Sequence, residues 1–171
     1  GIFLCVAMAA GVYGAIPVCA EGTDTGTDIQ AQAAQWPTGP AVQAASAIIM
    51  DASTGTVLYE KDADTPRYPA SITKIMTTLL ALENCNLDEM VHFSATAVYE
   101  NEGGTSHIAR DLDEEMTLEQ CLYGIMLESA NECSYAVAEH VGGGDYQKFI
   151  DMMNAKAAEL GCTNTHFNNC N

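Results

Sequence analysis

Between residues 44 and 171 the spacing of apolar positions changes from that of strands to that of helices. Ser46-Ala47-Ile48-Ile49-Met50 is a short apolar run that suits a buried strand, and Thr56-Val57-Leu58-Tyr59 is a second. Asp51-Ala52-Ser53-Thr54-Gly55 supplies turn residues between them, so the pair predicts a β-hairpin. A polar crossing over Lys61 to Arg67 and then Pro69 follow. From there apolar side chains recur at 72, 75, 76, 79, 80 and 82, the period of a buried helix. Residues 84–116 are mixed and read as loop, with Gly103-Gly104 and an acidic cluster at Asp111-Leu112-Asp113-Glu114-Glu115. The cluster is expected to be a solvated approach to the next helix, where its charge suits the N-terminal dipole. Thr117-Leu118-Glu119-Gln120 fits a capping box, ahead of an apolar stripe at Leu118, Cys121, Leu122, Ile125 and Met126. A further helix is predicted from about Glu132 to His140, stopping at Gly142-Gly143-Gly144. The last spans Asp145 to Leu160, with Phe149, Ile150, Met153 and Leu160 inward and Gly161 as its C-cap. There is no internal repeat.

The first twenty residues carry no charge, and a polar stretch rich in Thr, Gly, Gln, Ala and Pro follows over 21–43. Val18-Cys19-Ala20 has residues that suit signal-peptidase cleavage, so 1–20 reads as a signal peptide lacking its basic n-region, and 21–43 as a flexible linker. A membrane anchor is the alternative, since the run is nearly long enough to span. Pro17 and the small residues near its end favour cleavage, and Val18 before Cys19 makes a poor lipoprotein site. Either way the remainder is expected to be exported.

Of 171 residues, 48% are hydrophobic and 17% charged, which places the chain among globular proteins. Six basic against 23 acidic residues give a net charge of −17, which argues against nucleic acid and against docking on an anionic membrane surface. Beyond the leader five cysteines remain: Cys85, Cys121, Cys133, Cys162 and Cys170. Their odd number and irregular spacing make no disulfide framework, and no CxxC pair suggests zinc. Cys121 and Cys133 fall on apolar helical positions and read as packing residues. His92, His107, His140 and His166 show no ligand spacing and read as surface or helix-end residues, while the eight methionines read as core filler.

Chemistry enters at Ser71-Ile72-Thr73-Lys74. A chain of this length holds roughly one SxxK by chance, and the plain reading is an N-cap serine with a solvated lysine one turn on. The setting favours more. Ser71 sits at a helix start, beside unpaired backbone N–H groups, and Lys74 lies on the same face among Ile72, Ile75 and Met76. A serine hydroxyl needs a base to become a nucleophile, and a lysine serves when burial disfavours its charge. A second pair, Ser129 and Asn131 in Leu127-Glu128-Ser129-Ala130-Asn131, lies between two predicted helices, where i and i+2 can face one cleft. Either could instead be an ordinary N-cap.

The stretches "AIIMDASTGTVLYEKDADTPRYPASITKIMTTLLALEN", "LEQCLYGIMLESANECSYAVAEH" and "FIDMMNAKAAELGCTNTHFNNCN" carry these pairs in a fixed order. Together they resemble the serine D-alanyl-D-alanine carboxypeptidases, the low-molecular-mass penicillin-binding proteins, over about residues 44–171. The resemblance implies an α+β, β-lactamase/transpeptidase-like fold, an antiparallel sheet flanked by helices, and a partial catalytic domain over 44–171. It implies that Ser71 attacks the bond between the terminal D-alanines of a peptidoglycan stem peptide and that Lys74 takes its proton. Ser129 would relay that proton to the leaving D-alanine, and Asn131 would orient substrate and lysine. β-Lactams would trap Ser71 as an ester, with no metal or organic cofactor required. The implied location is extracytoplasmic, at the cell wall or the outer face of the cytoplasmic membrane, with anchoring through a C-terminal segment.

The sequence departs from the family in two respects. No Lys-Thr-Gly or Lys-Ser-Gly triplet follows Asn131. That strand supplies part of the oxyanion hole, and one such donor is worth about 10² to 10³ in rate. The C-terminal strands that would pair with the hairpin are also absent, and an isolated hairpin is marginal. The expectation is a partial sequence whose 171-residue product alone is unstable and nearly inactive. Two alternatives stand beside the carboxypeptidase. One is a serine β-lactamase, against which Ala130 argues because class A enzymes show Ser-Asp-Asn there. The other is a secreted, non-catalytic homologue.

Overall fold

The computed structural model describes residues 39–100 and 104–171; the uncharged leader and all but the end of the linker lie outside them. Strands β1 (Ala47–Met50) and β2 (Val57–Lys61) form the expected antiparallel hairpin, in register from Ala47↔Lys61 to Ile49↔Tyr59. The Asp51 carboxylate accepts from the Ser53 and Thr54 amides, both at 2.9 Å, and from both hydroxyls. Those bonds hold its pKa down to about 2. Ile49, Val57 and Leu58 remain exposed on this two-stranded ribbon.

The helical body follows. A 3₁₀ turn over Ala70–Thr73 leads into α1 (Lys74–Asn84), whose buried face is Lys74, Thr77, Leu80 and Ala81. Ile75 and Leu82, expected inside, are 45% and 53% exposed. The inward stripe is therefore narrower than the apolar pattern and takes in two polar side chains.

Residues 84–116 are not simply loop. They contain β3 (Met90–His92) and α2 (Ala95–Tyr99), and β4 (Glu115–Thr117) pairs antiparallel with β3 from Met90↔Thr117 to His92↔Glu115. Three-residue strands are too short to show a period, and their pairing spans some 25 positions, so local pattern could not reveal them. The acidic cluster is largely solvated and approaches the next helix as expected, but it does so as a turn into β4 rather than in the helix's first turn. The Asp113 amide donates to the Phe93 carbonyl and the Phe93 amide to the Glu114 carbonyl, which turns the chain into β4. The one acidic residue in the next helix's first turn is Glu119.

Helix α3 (Leu118–Glu128) begins at the predicted capping box: the Gln120 amide donates to Thr117 Oγ1 at 3.2 Å and the Thr117 amide to Gln120 Oε1 at 3.0 Å. Leu118, Cys121, Leu122 and Ile125 are buried as expected, at about 1.5–3 kcal/mol for each large aliphatic side chain, while Met126 faces outward. Helix α4 (Asn131–Val141) packs against α1, α2, α3 and α5 (Tyr146–Glu159) and is the axis of the body. Phe149, Ile150 and Met153 are buried as read from the pattern, whereas Leu160 caps α5 and is 42% exposed. Gly161 follows at a φ of +79°, a conformation that suits glycine after a helix. Methionines divide between core (Met153) and surface (Met90, Met126), so filling the core is only part of their use. Among the described residues no helix is long and apolar enough to cross a membrane.

Candidate active site

Four side chains meet where the 3₁₀ turn, α1 and the α3–α4 junction come together. Ser71 is not a helix cap: the turn has no side-chain capping bond. Its Oγ instead lies 3.1 Å from Lys74 Nζ and 2.9 Å from Ser129 Oγ. Lys74 is not solvated: it is 2% exposed, and its Nζ also reaches Ser129 Oγ at 3.2 Å and Asn131 Oδ1 at 2.6 Å. Ser71, Lys74 and Ser129 therefore close a ring of three hydrogen bonds, and Asn131 anchors the lysine from outside it.

The local backbone explains the convergence. Ser129 is the C-cap of α3 in the left-handed conformation, with a φ of 56°. Ala130 is extended, and Asn131 opens α4, with its amide held by the Ser106 carbonyl at 2.9 Å. Neither Ser129 nor Asn131 is an N-cap; that place belongs to Ala130, which cannot cap. Ala70, immediately before Ser71, is also left-handed at 51°.

Electrostatics act on the lysine. Burial lowers the Lys74 pKa below its ordinary value, and Cys170 and the Glu132 carboxylate oppose the shift. An uncharged amine fits the ring: with Ser71 O–H donating to Nζ and Ser129 O–H to Ser71 Oγ, the amine's two protons go to Ser129 Oγ and Asn131 Oδ1. Burial also pushes the Cys170 thiol up to about 12, so it stays protonated at neutral pH.

The cleft beside the ring has a volume of about 350 Å³ and is bordered by Ser71, Asn131, Tyr135, Glu100, Thr105, Asn169 and Asn171, besides Ala70. The sequence pointed to only two of these. Tyr135 lies one turn after Asn131 on α4, so helical spacing from Asn131 gave access to it. Asn169 and Asn171 arrive by long-range bonds: Asn154 clasps the Phe167 backbone at 2.8 and 2.9 Å, and Thr77 Oγ1 donates to the Cys170 carbonyl at 2.6 Å. Sequence reading also missed Glu132, 2% exposed, whose Oε1 accepts from the Ile108 amide at 2.5 Å while Oε2 has no partner among the described residues. It holds the loop between α2 and β4 against α4 and places a negative charge near Lys74.

Comparison with known proteins places the chain in one family. The family model described as D-alanyl-D-alanine carboxypeptidase matches residues 30–171. The chain is similar to the D-alanyl-D-alanine carboxypeptidase DacF of Bacillus subtilis, 39% identical over 74% of this chain and 33% of that protein. It is also similar to the D-alanyl-D-alanine carboxypeptidase of Streptomyces sp. strain K15, 36% identical over 94% of this chain and 52% of the relative. Among solved structures, the D-alanyl-D-alanine carboxypeptidase DacD of Francisella tularensis superposes with a TM-score of 0.71 at 34% identity, over 79% of this chain and 33% of that one. The sequence thus spans about a third to a half of these relatives. Its α+β architecture is that of their transpeptidase-like domain, in part. By sequence and fold, the chain belongs to the D-alanyl-D-alanine carboxypeptidase family.

Proposed function

We propose that residues 44–171 are the front part of the catalytic domain of a serine-type D-Ala-D-Ala carboxypeptidase that trims peptidoglycan stem peptides. The observation that carries this is the closed ring of Ser71, Lys74 and Ser129, with contacts of 2.9–3.2 Å. Ser71 Oγ attacks the carbonyl carbon between the two terminal D-alanines, and its proton passes to Lys74 Nζ. The Ser71 amide, second in its 3₁₀ turn, would be one donor for the resulting oxyanion. Lys74 then returns the proton through Ser129 Oγ to the departing D-alanine nitrogen, as the C–N bond breaks and an ester on Ser71 remains. Water, deprotonated by the same lysine, hydrolyses that ester. Because Asn131 Oδ1 accepts from Lys74, its Nδ2 is left to hold the substrate carbonyl. No step asks for a metal or organic cofactor.

A β-lactam carries a strained amide in place of the D-Ala-D-Ala bond and would acylate Ser71 by the same steps. The substrate places the enzyme outside the cytoplasm, in accord with an exported chain whose uncharged leader is removed and with membrane anchoring through a C-terminal segment. The test is to label the full-length gene product with fluorescent penicillin and to measure D-alanine release from a D-Ala-D-Ala-terminated peptide. Labelling and release, both abolished in Ser71→Ala, are expected. Labelling that survives in Ser71→Ala, or none in the intact protein, overturns the proposal. Sub-second turnover of the penicillin would identify a β-lactamase instead.

A further inference from the structure

We propose that Cys85, Glu89 and His140 form a zinc site that clamps together the ends of α1 and α4 farthest from Ser71. Their donor atoms, Cys85 Sγ, a Glu89 carboxylate oxygen and a His140 ring nitrogen, all lie within 4.8 Å of one another, and all three residues are half-buried. His140 Nε2 is 2.9 Å from Glu89 Oε2. Zinc bonds of about 2.0–2.3 Å to N, O and S place tetrahedral donors roughly 3.5 Å apart, so closure asks for movements of an ångström or less. A thiolate, an imidazole and a carboxylate are a set that zinc favours. Two negative ligands balance the ion, and a water completes the four.

The cluster is held from behind in the manner of a metal centre. Glu89 Oε1 accepts from the Asn86 amide at 2.6 Å and from Asn86 Nδ2 at 3.0 Å, which turns Oε2 toward His140. The Glu89 carbonyl accepts from the Leu118 amide at 2.8 Å, and the Cys85 amide donates to Ala81 O at 3.0 Å. His140 sits in the last turn of α4. All three ligands thus come from fixed backbone. Outer partners of this kind are worth about 10–100-fold in metal affinity.

A cysteine nucleophile is the other chemistry that such a trio suggests, and the arrangement disfavours it. The carboxylate lies next to both the thiol and the imidazole. Burial, followed by the charge of Glu89 and a hydrogen bond to it, raises the Cys85 thiol pKa, the reverse of an activated thiolate. A cation reverses that balance. On binding, Cys85 gives its proton to solvent, Glu89 is already ionised, and His140 meets the ion through the Nε2 lone pair while Nδ1 carries its proton, with no change of oxidation state.

The position gives the site its consequence. Lys74 begins α1 and Cys85 caps its other end, roughly 16 Å away at helical rise. Asn131 begins α4 and His140 lies in its last turn. An ion there fixes the relative placement of the two helices that carry Lys74 and Asn131.

The test uses the untagged full-length gene product and Co²⁺ as the probe. A thiolate-to-cobalt charge-transfer band is expected, displaced by equimolar Zn²⁺, absent in Cys85→Ala and unchanged in Cys162→Ser. Co²⁺ binding should weaken by at least about 100-fold in His140→Gln and by about tenfold in Asn86→Ala. Zinc should raise the melting temperature of the parent protein and not that of His140→Gln, a readout independent of penicillin labelling. If Cys85→Ala does not fold, His140→Gln carries the test. The proposal is overturned by no thiolate band in the parent, by a band that persists at full affinity in His140→Gln, or by equal zinc stabilisation of both proteins.

Discussion

Replacing Lys74 with methionine separates the chemistry of this site from its stability. Methionine keeps the unbranched stem out to Cε and loses the amine that would take the serine proton. General base catalysis is worth about 10² to 10⁴ in rate. At 1.36 kcal/mol for each tenfold, that is about 3–5 kcal/mol on the acylation barrier. Stability should respond far less. Lys74 Nζ is hydrogen-bonded with Ser71, Ser129 and Asn131, and the orphaned Asn131 oxygen costs about 1–3 kcal/mol where it is buried. Against this, burying the Lys74 amine to 2% exposure carries a desolvation cost that methionine removes. The Ser71–Ser129 bond at 2.9 Å survives the change. A net shift within about 2 kcal/mol in either direction is the expected sum.

A pH series sharpens the case. Lys74 has a folded pKa below its ordinary 10.5 because it is buried. Between the two values the unfolded chain binds more protons than the folded one, so stability rises with pH across that interval and levels off above 10.5. Lys74→Met lacks that rise. The measurements are the acylation rate with fluorescent penicillin and urea unfolding at successive pH values, on the full-length gene product. Acylation within tenfold of the parent would refute Lys74 as the base. Parallel stability curves for the two proteins would refute its lowered pKa.

Two further substitutions probe the surroundings. Glu132→Gln keeps an oxygen for the Ile108 amide and removes the charge that opposes the Lys74 shift, so the rise of acylation rate with pH should move to lower pH; an unmoved midpoint refutes the coupling. Gly142→Ala would set its Cβ 2.1 Å from the Asp145 carbonyl oxygen and 3.1 Å from that of Ala138, and overpacking of this kind costs about 1–3 kcal/mol. The melting temperature should fall by roughly 2–10 °C, and an unchanged value would show that the α4–α5 turn opens freely.

What the sequence made legible had a local signature. The capping box at Thr117, the stripe from Leu118 to Ile125 and the turn at Asp51 each lie within one element, and each is present in the structure. Ser71 and Lys74 were legible because i and i+3 share a helix face, and Ser129 and Asn131 because the predicted helices broke between them. The pairing of β3 with β4, the return of Asn169 and Asn171 to the cleft, and the meeting of Cys85, Glu89 and His140 were not. Each joins positions that no common element relates, and three-residue strands or single histidines carry no period. Ile75 and Leu82 mark the opposite failure: helical spacing showed which residues were apolar and not which side of α1 would be covered.

The placement of the four site residues at junctions follows from what a continuous helix would do to them. Were Ser129 and Asn131 on one unbroken helix, two residues apart, their side chains would diverge by roughly 200° and only one could reach Lys74. The left-handed turn at Ser129 breaks α3 so that both face the lysine, at 3.2 and 2.6 Å. A non-glycine residue in that conformation costs about 1–2 kcal/mol, and Ala70 beside Ser71 bears the same strain. Glycine would relieve it at either place, but at position 129 it would also delete the hydroxyl that joins Ser71 to Lys74. The backbone strain at Ser129 is therefore tied to the oxygen it presents. The well-capped helices around it, with Thr117 before α3 and Asp145 before α5, supply the stability that lets it persist.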